Sequence, residues 1–201
     1  MSTRQLSKAS PEDVQAFLER LSTHLLPLDG WGSFRVGAKS AAVTFILYRH
    51  HEAWHVPFVL RRADLPSHPG QVGLPGGMVR QKESAWEAAV REAEEEVGIQ
   101  GSELVPLGAG PPLYAAVTNF SVVPFVAWLP SPSPAFRPDP RELDSVFEVR
   151  LDRLLDAEAW LEEVEPFRGP HLPVEDTVIW GLTARLLADV LPRVSAAAPV
   201  P

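Results

Sequence analysis

No cysteine occurs in the 201 residues. That excludes a disulfide framework, a thiolate zinc site, an iron–sulfur cluster and a cysteine nucleophile, and it fits a reducing compartment. No run of about 18 uncharged apolar residues exists, so no membrane-spanning helix is expected. The opening stretch MSTRQLSKASPEDVQAF lacks the apolar core of a signal peptide, which reads as a cytoplasmic protein. Basic residues are in deficit: 18 Lys and Arg stand against 26 Asp and Glu, a net charge of −8 with histidines neutral. A general polyanion binder would show the opposite surplus, so neither nucleic acid nor a membrane surface is an expected partner. A small anionic substrate stays open, because a few arginines or a metal ion reverse the local sign.

What is present reads as one globular domain over residues 1–201. Hydrophobic residues make up 45% of the chain, enough to bury a core at this length. Proline is in excess, at 21 residues against a usual share of roughly 5%. Five prolines fall in LPSPSPAFRPDPR, so residues about 129–141 form a loop. The last residues, 196–201, read as a frayed tail.

An N-terminal helix over about 10–26 starts at Ser10, with Pro11 at its first position and Asp13 completing an acidic capping box. Val14, Phe17, Leu18, Leu21 and Leu25 then recur at helical spacing. Two strand-like runs, AAVTFILY (41–48) and HVPFVLR (55–61), are joined by a polar stretch and predict a hairpin. Residues 63–77 read as a glycine- and proline-rich loop, and a helix is predicted over about 83–97, stopped by Gly98. Further strands are predicted near 104–107, 121–129 and 146–149. Pro124 marks the second of these as an edge or a bulge. A helix over 151–161, a turn or short strand near 171–174 and a C-terminal helix over about 177–191 complete the reading. The order argues an α/β fold, a mixed sheet with helices on its faces.

The segment GGMVRQKESAWEAAVREAEEEVGI, residues 76–99, carries the chemistry. On a helical wheel Trp86, Ala89, Val90, Ala93 and Val97 share one face, the core side. Glu92, Glu95 and Glu96 fall in another arc of roughly 100°, with only Arg91 on its flank. Three like charges so close become favourable around a hard divalent cation such as Mg²⁺, which takes oxygen ligands. The Gly76–Gly77 turn lets backbone carbonyls approach the same point.

The spacing resembles the Nudix hydrolase box. Gly77, Glu83, Arg91, Glu92, Ala93, Glu95, Glu96, Gly98 and Ile99 stand at its places, over residues 77–99. The resemblance implies a Nudix-type α/β/α sandwich with a mixed β-sheet between helices. It implies Mg²⁺ or Mn²⁺ on Glu92 and Glu96, with Glu95 binding metal or water and the Gly76 carbonyl as a further ligand. Arg91 and Glu83 would hold the catalytic glutamates in place. The reaction implied is hydrolysis of a nucleoside diphosphate linked to another group. The glutamate that takes the proton of the attacking water varies in the family; Glu95 is the choice here.

Upstream, FVLRRADLPSHPGQVGLPGG (58–77) resembles the coenzyme A pyrophosphatase branch of the family. Arg61, Gly70, Pro75, Gly76 and Gly77 match its signature. Pro66 stands where that branch has a second arginine, and Arg62 stands where it has a small residue, offering a possible substitute. The implied substrate is coenzyme A or a thioester of it, bound by Arg61, Arg62 and Gly77, and a homodimer is a further possibility. Two alternatives remain at this level. One is a Nudix hydrolase of ADP-ribose, NADH or diadenosine polyphosphates; the other is an inactive nucleotide-binding regulatory module. His68 reads as a structural histidine, His50 and His51 as exposed hairpin residues, and Trp31, Trp128, Trp160 and Trp180 as packing residues.

Overall fold

The computed structural model describes residues 10–31, 35–132, 134–162, 165–167 and 169–198. Helix α1 spans Pro11–His24. Its capping box is formed as expected: Asp13 N–H donates to Ser10 Oγ at 3.2 Å, and Ser10 N–H donates to the Asp13 carboxylate at 2.9 Å. Strands β1 (Lys39–His50) and β2 (Ala53–Arg61) form the expected hairpin. Its two turn residues, His51 and Glu52, both have positive φ, the twist a two-residue hairpin turn demands.

The hairpin pairs only from Tyr48↔His55 to His50↔Ala53, after which the strands part. The chain read as a loop over 63–77 fills that parting. Strand β3 (Val72–Gly73) pairs with β2, and β4 (Gly76–Met78) crosses to pair with β1. Between them Pro75 O accepts from Thr44 N–H at 2.8 Å. Runs of two and three residues leave no alternation to detect, so the loop reading is corrected here.

Helix α2 spans Ala85–Val97, and β5 (Val105–Ala109), β6 (Leu113–Ala115) and β7 (Phe120–Trp128) follow. Strand β7 pairs parallel with β1 from Lys39↔Phe120 to Leu47↔Trp128, while every other strand pair among the described residues is antiparallel. The sheet is therefore mixed, as expected. Pro124 is not on an edge: β7 lies between β1 and the pair β5 and β6. Its carbonyl accepts from Gly110 N–H at 2.7 Å, on the side where β6 ends and β5 has not begun. A residue's N–H and C=O point the same way across a ladder, so the missing donor falls in that gap and the β1 ladder is intact.

Strand β8 (Leu143–Arg150) pairs with β2. Helix α3 covers only Leu151–Leu155, not the whole of 151–161. Asp156 ends it by accepting from Glu158 N–H at 3.1 Å and starts a 3-10 turn over Ala157–Ala159. The last helix also differs from expectation. Thr177–Ile179 is strand β10, paired with β9 (Leu172–Val174), and helix α4 spans Gly181–Ala197. It continues through Pro192 because the turn beyond is held by packing: Val194 and Ala197 are buried, and Ala197 O accepts from Arg20 Nε at 2.9 Å. The tail reading thus fails for Ala196 and Ala197; residues 199–201 lie outside the described residues.

Alternation along β1 divides the core. Phe45 and Leu47 pack with Phe17 and Leu21 of α1 and Leu187 and Val190 of α4. Ala42, Ile46 and Tyr48 face the α2 side, where Ala42 packs with Ala85, Ala88 and Ala89. The result is the expected α/β/α arrangement.

Candidate functional site

Helix α2 is fixed at both ends. Ser84 and Glu87 form a capping box, with Glu87 N–H to Ser84 Oγ at 3.1 Å and Ser84 N–H to Glu87 Oε2 at 2.7 Å. Gly98 closes it at φ 74°, a left-handed conformation suited to glycine. Four alanines on the buried face let the helix lie close to the sheet, and Thr44 Oγ1 donates to Ala89 O at 3.3 Å. The segment 129–141, free of helix and strand among the described residues, crosses the helix end. Arg137 N–H donates to Val97 O and Asp139 N–H to Glu96 O, at 2.8 and 3.1 Å. Two carbonyls that a helix end leaves without partners are satisfied this way.

This docking turns the acidic face of α2 onto β4. Gly76 N–H donates to Glu96 Oε2 at 2.9 Å. The Glu92 carboxylate lies where a Cβ on Gly77 would be, 2.5 Å away. The Glu96 side chain is 5% exposed. Burial pushes its carboxyl up to about 7, against the Gly76 N–H bond, and the Glu92 charge adds to the rise.

Arg91 is the hub of the face. It donates to Glu83 through Nε at 2.7 Å and Nη2 at 3.1 Å, to Glu92 and Glu95 through Nη1 at 2.6 and 3.1 Å, and to Met78 O at 3.0 Å. The Arg91 hydrogen bond holds the Glu83 carboxyl below its ordinary range, helped by Arg80 N–H at 2.8 Å. Of Glu92, Glu95 and Glu96, Glu95 is the most exposed, at 47%, and its Oε2 also faces Arg80 Nη2 at 3.3 Å. The wheel had left this face with Arg91 alone, whereas Arg80 from the preceding loop and Arg61 from β2 also reach it.

Arg61 ends β2 where the register against β8 shifts between Leu60 and Arg61. Such an irregularity re-aims a side chain. Its Nη1 lies 3.7 Å from Glu96 Oε1 and 3.8 Å from Glu142 Oε2. Arg62 takes another direction, with Nε and Nη2 on Asp64 at 2.8 and 2.6 Å and Nη1 on Pro140 O at 2.8 Å. The structure therefore brings Glu83, Arg91, Glu92, Glu95, Glu96, Gly76, Gly77 and Arg61 together, but gives Arg62 no contact with the helix glutamates. Glu142 and Arg80 were not singled out from sequence. Arg80 sits three residues before Glu83 and could have been; Glu142 arrives only through the tertiary fold. His68 bonds Gln71 at 2.9 Å, and Trp128 packs against Trp54, in keeping with their structural readings.

The NUDIX domain model matches residues 38–170. The protein named "Uncharacterized Nudix hydrolase NudL" of Photorhabdus laumondii is 35% identical over 140 residues, 67% of this chain and 74% of its own. The protein of the same name in Escherichia coli K12 is 36% identical over 140 residues, 65% and 70% of the two chains. The crystal structure of RenU, a Nudix hydrolase of M. smegmatis, shares the fold with a TM-score of 0.58, at 18% identity over 88% of this chain and 96% of its own. The chain belongs to the Nudix hydrolase family. It is a pyrophosphohydrolase, of a family that generally uses divalent metal ions.

Proposed function

We propose that this enzyme hydrolyses the diphosphate bond of coenzyme A or its thioesters, giving 3′,5′-ADP and 4′-phosphopantetheine or its acyl form. One observation carries the reading. Arg61, the arginine on which the coenzyme A resemblance turns, ends within ion-pair range of Glu96, a carboxylate of the box. The two resemblances thus meet at one point in space.

A divalent cation fits the donors on chemical grounds. Glu92 and Glu96 converge on the Gly76–Gly77 backbone, Glu96 is buried, and the two charges oppose each other. All are hard oxygen donors, the kind Mg²⁺ or Mn²⁺ takes. Among the described residues no group of three His, Cys, Asp or Glu side chains is set around a common point. The complete set would need Glu95 to turn in, or the Gly76 carbonyl and water to supply the remaining oxygens. Such an ion would neutralise diphosphate oxygens and acidify a water molecule. Glu92 and Glu96 would hold it, while Arg91, braced by Glu83, keeps Glu92 and Glu95 in place. Glu95, at the rim, takes the proton of the attacking water. Arg61 clamps the diphosphate, its planar fork suited to two phosphate oxygens.

The test is a product screen of coenzyme A, acyl-coenzyme A, ADP-ribose, NADH and diadenosine polyphosphates with Mg²⁺ or Mn²⁺. The highest kcat/KM should fall on coenzyme A or a thioester. Preference for ADP-ribose, NADH or a dinucleotide would replace the substrate, and no turnover of any would put the substrate outside these classes. Arg61→Ala should lower kcat/KM roughly tenfold or more, equally for coenzyme A and dephospho-coenzyme A. A rise in KM confined to coenzyme A would instead make Arg61 a reader of the 3′-phosphate.

A further inference from the structure

We infer that Arg61 is a stand-in cation for the metal site, exchanged when metal binds, and that Glu142 keeps it at the rim for substrate. The inference rests on the metal-site reading above and adds a residue outside the box.

The two arginines of the site are held in different ways. Arg91 makes hydrogen bonds from Nε, Nη1 and Nη2 to three glutamates and a backbone carbonyl, all between 2.6 and 3.1 Å. It is a fixture. The Arg61 carboxylate contacts lie beyond hydrogen-bonding distance, at 3.7 and 3.8 Å, and share a single nitrogen, Nη1. Its Nε is buried without a partner. Its backbone, by contrast, is firm: Arg61 N–H donates to Gln71 O at 3.0 Å, and the next residue, Arg62, donates from N–H to Glu142 O at 3.0 Å. A rigid backbone thus carries a guanidinium with unmet donors between a buried and an exposed carboxylate.

The two carboxylates are unequal. Glu96 is 5% exposed and Glu142 54%. Glu96 Oε2 is already engaged by Gly76 N–H, so Oε1, the oxygen facing Arg61, is the one left for a cation. A divalent ion on Glu96 carries twice the charge of the guanidinium in the same place, and the two repel. Arg61 then gives up Glu96 and keeps the exposed Glu142, where Nη1, released from Glu96, can meet an incoming phosphate. The segment 137–142 holds Glu142 there. It is tied to the end of α2 through Arg137 and Asp139 and to β2 through Arg62 N–H. Glu142 is a positioning residue, acting through Arg61.

A double-mutant cycle read by Mn²⁺ binding to the substrate-free protein tests this. Free Mn²⁺ is followed by its electron paramagnetic resonance signal, on variants that melt like the wild type. Arg61→Gln should tighten Mn²⁺ binding roughly tenfold, because the competing charge is gone. Arg61→Lys, which keeps a cation, should stay near wild type. Glu142→Gln should weaken Mn²⁺ binding about threefold when Arg61 is present, since the guanidinium then rests on Glu96 alone. It should have no effect in the Arg61→Gln background. An equal effect of Glu142→Gln in both backgrounds would make Glu142 a ligand or a bulk charge and overturn the inference. So would an Mn²⁺ affinity indifferent to Arg61→Gln. If Mn²⁺ binding does not depend on Glu96, the metal-site reading falls first and takes this inference with it.

Discussion

Glu96→Gln should cost the enzyme most of its turnover and, in the absence of metal, make it more stable at pH 8. The activity loss follows from the role given to Glu96 as a ligand. Removing groups that only support metal ligands costs 10–100-fold, so removing a ligand should cost roughly a hundredfold or more. The stability gain follows from burial. The Glu96 carboxyl is raised to about 7 from an ordinary 4.5, with desolvation the largest cause. The folded state then binds this proton more tightly than the unfolded state. The corresponding stability is fully present below about pH 4.5 and is lost as pH rises through about 7. By pH 8 the ionised buried carboxylate costs on the order of 3 kcal/mol. Glutamine removes that cost, and its amide oxygen can still accept from Gly76 N–H. Urea unfolding in excess chelator should show the variant ahead at pH 8 and level with the wild type near pH 4.5. A variant weaker than the wild type at pH 8 would mean that the carboxylate is stabilised by partners beyond those described.

The paired glycines should separate folding from chemistry. An alanine Cβ at position 76 would lie 2.3 Å from Ala42 O and 2.5 Å from Val43 Cα, both backbone atoms of β1. Neither can retreat without opening the β1–β4 ladder, so Gly76→Ala should destabilise by about 3 kcal/mol, the top of the usual overpacking range. At position 77 the obstacle is the Glu92 carboxylate, 2.5 Å from the added Cβ. That is the end of a flexible side chain, and it can swing away. Gly77→Ala should keep its denaturation midpoint within about 1 kcal/mol of wild type while turnover falls up to a hundredfold, since a misplacement of about 1 Å costs that much. Denaturant melts and steady-state kinetics on the same two preparations read the contrast. A fully active Gly77→Ala would show that the position of Glu92 does not matter.

The box helix was legible because its signals are local. Ser84 and Gly98 bound it, alanines mark its buried face, and the glutamates stand at fixed spacing. The elements that escaped notice are those with no period to show. Strands β3, β4, β6 and β10 have two or three residues each. The apolar stripe of the C-terminal helix runs back through Ile179, so helical spacing begins four residues early in the sequence, although the pairing with β9 claims 177–179. The predicted helix stops near 191, whereas the packing of Val194 and Ala197 carries it on through Pro192 despite the missing donor. In the site, Arg61 was found through its motif. Glu142 carries no role in the sequence reading; it reaches Arg61 because β8 pairs with β2 and the Arg62 N–H holds the Glu142 carbonyl.

The parallel pair β1–β7 also bears on how the chain comes to be made. Its nine paired positions, Lys39↔Phe120 through Leu47↔Trp128, are each separated by about 80 residues of chain. During synthesis at roughly 5–20 residues per second, β1 emerges some 4–16 s before its partner. In that interval, among the described strands, β1 can pair with β2 and the short β4, and the edge of AAVTFILY that takes β7 is open. Such an edge, apolar and rich in strand-forming residues, templates association with other chains. The nascent protein is therefore open to such association from the emergence of β1 until Phe120–Trp128 arrives.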